Sequence, residues 1–277
     1  MRNLKYGIAG VFYDMIEQEY RAQTAIAGSD AKKILPPLTP SHYAAHMAGE
    51  IKREPSKAML LGTISHVAVL EPKKLDTAFV QKPEGKEGDF RTKEGKEWKA
   101  KMGATPILDH DEARAVRGIR DSIAANSAAR DLLAGTKSEV SLFGDSRNGL
   151  AIKGRVDAMK EGVLVDVKTT SAGADANAFS RQSFALNYHV SAAWYYYLAT
   201  LNDMHPKAFY WIAVETIAPF AVAVYEIHTQ ALQLGFRQMT EALELIARCE
   251  DEGNWPGYGN EVQTLNLPAW AYGKGAA

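Results

Sequence analysis

The stretch GRVDAMKEGVLVDVKTT, residues 154–170, decides the fold. Val156 and Ala158 before the Lys160-Glu161-Gly162 interruption, and Val163, Val165 and Val167 after it, alternate with polar residues in the period-two manner of half-buried strands. Gly162 can supply the positive φ of a two-residue turn, so the spacing predicts a hairpin across Glu161-Gly162. In that register Asp157 lies opposite Asp166, with facing Cβ atoms roughly 4.5 to 5.5 Å apart, and Lys168 projects from the same face as Asp166. Facing carboxylates repel unless something positive lies between them, and a divalent cation is the usual answer. Taken alone, the pattern fits a solvated hairpin face equally well, because half-exposed antiparallel hairpins carry polar outer faces. Other segments have to decide.

The chain has 277 residues, enough to bury a substantial core, and a 46% apolar, 23% charged composition is that of an ordinary soluble globular protein. No apolar run reaches the roughly 18 residues of a membrane span, and the opening MRNLKYGIAG has no signal-peptide pattern, so no membrane association and a cytoplasmic location are expected. The single Cys249 excludes an intrachain disulfide and any four-cysteine zinc or iron-sulfur site. Any metal must therefore rest on oxygen and nitrogen ligands. A formal net charge of -1 gives no global attraction to nucleic acid, which would have to meet a local basic patch.

Short helical pieces are expected over 10–50, one of them opened by Ser29 and another by Thr39-Pro40. Residues 57–71, KAMLLGTISHVAVLE, are apolar nearly all round and predict a buried helix ended by Pro72. Segment 73–101 carries nine Lys or Arg against six Asp or Glu and reads as a mobile, basic-leaning loop followed by a helix. One helix is expected over 109–134. Strand signals follow near 138–143, 150–159 and 163–169, then a helix over 181–201, two strands at 207–215 and 220–227, and a final helix at 229–252. This order predicts a single domain: a mainly helical part over 1–135, an α/β (α+β) core with a central mixed sheet flanked by helices over 136–255, and an aromatic C-terminal arm over 256–277. The helical crossover makes the strands at 163 and 207 parallel neighbours.

His66 lies within the apolar helix with Gly62 one turn before it; a hydrogen-bonded core histidine is the plain reading, but the glycine leaves room for approach to the imidazole. His42 and His46 have helical H-x-x-x-H spacing without the metallopeptidase glutamate or an evident third ligand. Tyr188, Ser191 and Tyr195 share one face of the crossover helix, where the small residues around Ser191 also suit plain packing against the sheet. Nucleotide-binding glycine fingerprints are absent from the sequence.

KGRVDAMKEGVLVDVKTT (153–170) resembles the D…D-x-K signature of PD-(D/E)XK nucleases, and LLGTISHVAVLEP (60–72) resembles the histidine helix of their RecB-like subgroup. Within that subgroup the likeness is to the exonuclease VIII, or RecE-type, nuclease domain. It extends from GVFYDMIEQEY through LTPSHYAAHM to WIAVETIAPFAVAVY and WPGYGNEVQTLNLPAW, which is most of the chain. One departure is plain: the family's crossover helix commonly reads Tyr-x-x-Gln-x-x-x-Tyr, and Ser191 stands at the glutamine position while Tyr188 and Tyr195 match.

The resemblance implies a restriction-endonuclease-like core in which His66, Asp157, Asp166 and the Val167 backbone carbonyl bind Mg2+, with Mn2+ as a substitute. Lys168 would orient or deprotonate the attacking water beside the catalytic Asp157 and Asp166. Arg155, Thr169, Arg181, Tyr188, Ser191 and Tyr195 would contact DNA. It also implies digestion of double-stranded DNA ends from 5′ to 3′, a single-strand annealing recombinase as partner, and a homo-oligomeric ring. Two alternatives share these residues: an endonuclease or flap nuclease of the same superfamily, and a decayed DNA-binding or assembly protein.

Overall fold

Alternation in the sequence builds the hairpin, and the hairpin organises the sheet. The computed structural model describes residues 10–51 and 56–267. The chain begins with β1 (Gly10–Phe12), α1 (Glu17–Ala22), β2 (Ile26–Ala27), α2 (Gly28–Ala31), α3 (Pro40–Met47) and α4 (Lys57–Leu70). A 3-10 turn at Pro72–Lys74 leads into α5 (Leu75–Ala78), β3 (Val80–Gln81), α6 (Lys93–Met102) and β4 (Ile107–Leu108). Next come α7 (His110–Ala125), α8 (Ser127–Leu133), β5 (Lys137–Asp145), β6 (Ala151–Lys160) and β7 (Val163–Thr170). Two helices, α9 (Ala176–Ala185) and α10 (Tyr188–Leu201), cross to β8 (Ala208–Glu215), followed by β9 (Val222–Glu226) and α11 (Thr229–Glu252).

The protein is a mixed α/β fold. Its main sheet runs β1-β5-β6-β7-β8-β9, with β2 added in parallel to one end of β6. Strands β7 and β8 are parallel neighbours from Val163↔Ala208 to Thr170↔Glu215, as the helical crossover requires. One sheet face packs on α10 and α11 through Val190, Trp194, Leu198, Phe209 and Ile246. The other buries Val165, Val167, Ile212 and Val214 against Ile119 and Ile123 of α7. With both faces covered, the valine-rich strands are core elements, and polar groups on them are conspicuous.

Local chemistry fixes the helices that matter for the site. Ser56 caps α4 by accepting from the Met59 N–H at 3.2 Å, and Pro72 stops the helix soon after Leu70. Helix α10 is pinned to β6 where the Trp194 indole N–H donates to the Lys153 carbonyl at 2.9 Å. Trp194 is fully buried, so this bond is made out of water.

Three expectations need correction. The helix expected over 109–134 is broken at Asn126, whose side chain accepts from the Ala129 N–H at 3.0 Å and so caps a second helix. The crossover helix expected over 181–201 is likewise two helices, separated by Asn187 in the left-handed region at φ 53°. In the charged segment 73–101 the expected helix is present as α6, but the part before it is more than a loop: it holds α5 and β3, which pairs in parallel with β4, and Phe90 stacks on Trp98 at 6.2 Å. The closing arm packs on α3, where Trp255 stacks on Tyr43 at 5.3 Å and the Ser41 N–H donates to the Pro256 carbonyl at 3.1 Å. The rest of that arm, beyond 267, lies outside the described residues.

Candidate active site

Gly162, at φ 72°, makes the hairpin turn, and the ladder runs from Lys160↔Val163 to Ala158↔Val165. The expected register is present. One step further the strands part: Asp157 turns its carboxylate toward β7 and accepts from the Val167 N–H at 2.7 Å. Asp157 and Asp166 are both buried. Lys168 answers them, its Nζ donating to Asp166 Oδ1 at 2.6 Å and lying 2.6 Å from Oδ2.

His66 reaches this split from α4. A Cβ on Gly62 would lie 3.3 Å from Thr169 Oγ1, so the glycine lets the helix settle close against β7. His66 Nδ1 stands 3.5 Å from Asp157 Oδ2, and the Val167 backbone lies within hydrogen-bond reach of the same imidazole. The plain core-histidine reading gives way to a half-buried imidazole lining a cavity beside a carboxylate.

Glu139 on β5 completes the cluster and was missed in the sequence. It sits at φ 53° within the strand, in a gap of the ladder between Ser138↔Ala158 and Val140↔Val156, which places it across from Asp157. Left-handed backbone at a non-glycine residue inside a strand is strained, and such strain gathers at functional positions. Counting back through the turn that joins β5 to β6 would have found it opposite Asp157. Ligand atoms of His66, Glu139 and Asp157 all lie within 4.8 Å of one another.

Electrostatics follow from burial. Desolvation and then the Asp166 charge raise the Asp157 pKa. Desolvation and then the Asp157 charge raise that of Glu139. Burial opposes the charge on Lys168, but Asp166 and Asp157 more than restore it and hold its pKa above the usual lysine range. Burial and the Lys168 charge lower the His66 pKa, keeping the imidazole neutral as a ligand must be. Among these groups Asp166 Oδ2 is buried with no hydrogen bond of good geometry. Three carboxylates gathered beside a neutral imidazole, with a single ammonium bonded to one of them, fit a hard divalent cation. His66, Glu139 and Asp157 would hold it, with Asp166 Oδ2 beside them.

The cluster opens into a cavity of about 1310 Å³, larger than the roughly 300–1,000 Å³ of small-molecule pockets. Arg155, Thr169, Tyr188, Ser191 and Tyr195 line it, whereas Arg181 is exposed on α9 outside its wall. Arg155 is already paired, its Nε donating to Glu139 at 2.6 Å and its Nη1 to the Met15 carbonyl at 3.0 Å. Ser191 Oγ accepts from Lys32 Nζ at 2.5 Å. His42 and His46 are apart from this centre: His42 Nδ1 lies 2.7 Å from the Thr39 hydroxyl, and His46 pairs with Asp30 at 3.2 Å.

Residues 28–268 match the family model of a PDDEXK-like domain of unknown function, DUF3799. The chain belongs to this PDDEXK-like family. Its fold is also that of a presumed exonuclease from Eubacterium rectale, with a TM-score of 0.64 at 14% identity over 95% of this chain and 99% of the other. A phage related exonuclease from Haemophilus somnus overlaps 83% of this chain and 96% of its own at 12% identity, with a TM-score of only 0.36. No curated protein matches the sequence. Membership in the PDDEXK-like family agrees with the mixed sheet and with the order Asp157, Asp166, Lys168 along β6 and β7.

Proposed function

We propose that the chain is a divalent-metal-dependent deoxyribonuclease that degrades linear double-stranded DNA from its ends, 5′ to 3′, with Mg2+ as cofactor and Mn2+ as a substitute. The observation that carries this reading is the buried Asp157-Asp166-Lys168 constellation, whose Asp157 lines an open cavity together with His66 and Glu139. A cation held by these groups supplies a Lewis acid for the phosphoryl oxygens. The protein's own residues divide the remaining work. Asp157 is fixed by the Val167 N–H, so its free oxygen has a defined direction. Lys168 keeps an ammonium beside Asp166, where it can orient the attacking water and meet the negative charge that grows on the phosphate. Tyr188 packs under that ammonium at 5.2 Å from its ring centroid and limits where it can swing.

In this proposal the product is a 3′ single-stranded tail, the partner a single-strand annealing recombinase, the assembly a homo-oligomeric ring and the location cytoplasmic. Among the described residues no helix is long and apolar enough to cross a membrane. The test is incubation of end-labelled linear and covalently closed circular duplexes with magnesium and then with chelator. Loss of the 5′ label from linear DNA only, abolished by chelation, is expected. Cleavage of closed circles would replace the exonuclease with an endonuclease. No cleavage of either substrate in any divalent metal would remove the enzymatic reading.

A further inference from the structure

The cavity wall holds an ammonium that the centre described above does not use. Lys32, immediately after α2, directs Nζ between two helices: it donates to Ser191 Oγ at 2.5 Å and to the Leu186 carbonyl at 3.2 Å. The same ammonium lies 5.9 Å from the centroid of the Tyr188 ring, on which Lys168 also rests. Both hydrogen-bond partners are neutral acceptors, and an ammonium has three N–H donors, so one remains for a ligand.

Its neighbours are differently placed. Arg21 pairs with Glu17, Lys74 with Glu71, and Arg155 with Glu139. Lys153 is buried and donates to the Tyr20 and Gln23 carbonyls at 3.1 and 2.6 Å, tying β6 to the end of α1. Lys32 and Lys153 both have neutral partners, and of the two it is Lys32 that shares the Tyr188 ring with Lys168. Burial and the Lys168 charge push its pKa down to about 7, so its protein surroundings compensate a cation poorly. An anion would reverse that imbalance.

Ser191 explains how the lysine gets there. Its short side chain leaves the space that the long Lys32 side chain enters from α2, and its hydroxyl caps the incoming ammonium. A longer amide at 191 would contest that space.

We propose that Lys32 is a phosphate-positioning residue: held by Ser191 and the Leu186 carbonyl, its ammonium grips the phosphodiester backbone of the bound strand beside the scissile bond. This inference rests on the nuclease reading for its substrate. Its consequence is a division between two lysines on one tyrosine, with Lys168 serving the reaction and Lys32 holding the strand in register with it.

The test compares wild type, Lys32→Met, Lys32→Arg and Ser191→Gln. Binding of a fluorescein-labelled linear duplex is measured in chelator across a salt series, and steady-state hydrolysis is measured in magnesium. Lys32→Met is expected to bind the duplex about tenfold more weakly, with the slope of log affinity against log salt reduced by about one. Its KM should rise more than its kcat falls, and its thermal stability should be unchanged or higher, since a poorly compensated cation is lost. Lys32→Arg should restore the salt slope, and Ser191→Gln should weaken binding by displacing the ammonium. A Lys32→Met protein with wild-type affinity and salt slope would overturn the assignment even if the enzyme cleaves normally. Failure of the nuclease reading shows separately: wild type would cleave nothing, while the reduced salt slope of Lys32→Met would still support a phosphate contact.

Discussion

Two regions of this molecule are rich in charge, the floor of the cavity on β6 and β7 and the small lobe between α5 and β4, and they use it in opposite ways. In the lobe, charges are exposed and settled locally: Arg91 pairs with Asp89 at 2.8 Å, Lys93 faces Glu97 at 3.9 Å, and Lys82 and Lys99 lie over the Phe90 ring at 5.0 and 5.4 Å. Such pairs sit in water and are worth little. On the floor there are fewer charges, but Asp157 and Asp166 are buried, and among the described residues Lys168 is the only ammonium bonded to them. Like charges brought together out of water are costly, and a bound cation relieves that cost. Placement out of water, more than number, makes a charged cluster chemical.

The largest effect expected from breaking the floor is loss of cleavage. Asp157→Ala or Asp166→Ala should reduce hydrolysis of linear duplex at least about 10³-fold, the scale seen when one member of an interdependent catalytic set is removed. Asp157→Ala should keep its fold, because it also relieves carboxylate repulsion, whereas Asp166→Ala should keep its secondary structure by far-ultraviolet circular dichroism with a lower melting temperature, because Lys168 loses its bonded partner. Near-wild-type cleavage by either variant would place the chemistry elsewhere. Lys168→Ala should lose about 10²–10³-fold in turnover, comparable to removing a preorganised charge-stabilising donor, while metal affinity is retained. Metal affinity reduced as far as in Asp166→Ala would merge the two roles.

A smaller effect separates His66 as ligand from His66 as packing. His66→Gln should weaken manganese binding by about 10- to 100-fold, with little change in melting temperature. Unchanged affinity with a marked fall in stability would return it to the core. In the metal-free protein, Asp157 gives a pH signature. Its raised pKa, about 8, means that the folded state holds a proton that the unfolded chain releases near pH 4. Stability contributed by this group is therefore present below that range and is lost as pH rises toward 8. Melting of chelated wild type should fall across this window, and Asp157→Asn should flatten the fall; parallel curves would contradict the assigned environment.

The least change is expected from the lobe. Replacing Lys93, Lys96 and Lys99 together by Ala should weaken duplex binding uniformly and lower its salt slope by less than the roughly three units that three independent phosphate contacts would give. A full three-unit fall would make the lobe a principal DNA surface and erase its contrast with the floor.

The same contrast explains what the sequence made legible. Long periodic segments announced themselves: the final helix spans Thr229–Glu252, and the hairpin register follows from alternation and one glycine. His66, Asp157, Asp166 and Lys168 stood out because two short local patterns carry them. Glu139 did not, because its relation to Asp157 arises only when β5 pairs with β6, and its left-handed backbone leaves no mark on the alternation. Lys32 meets Ser191 across 159 positions of chain, a distance no local pattern spans. The helix breaks at Asn126 and Asn187 were hidden because helical periodicity resumes after each, while a single capping or left-handed asparagine redirects the backbone. In the lobe the sequence shows the α6 helix but not the order before it, because the ordering contact, Phe90 on Trp98, is one aromatic pair within a highly charged run.

Manganese binding followed by electron paramagnetic resonance tests most directly whether the buried floor is a metal centre. Wild type should show saturable binding that is lost in Asp157→Ala, weakened in Glu139→Gln and retained in Lys168→Ala. Equal binding by all four proteins would mean that these carboxylates hold no cation and that the floor is not the catalytic centre.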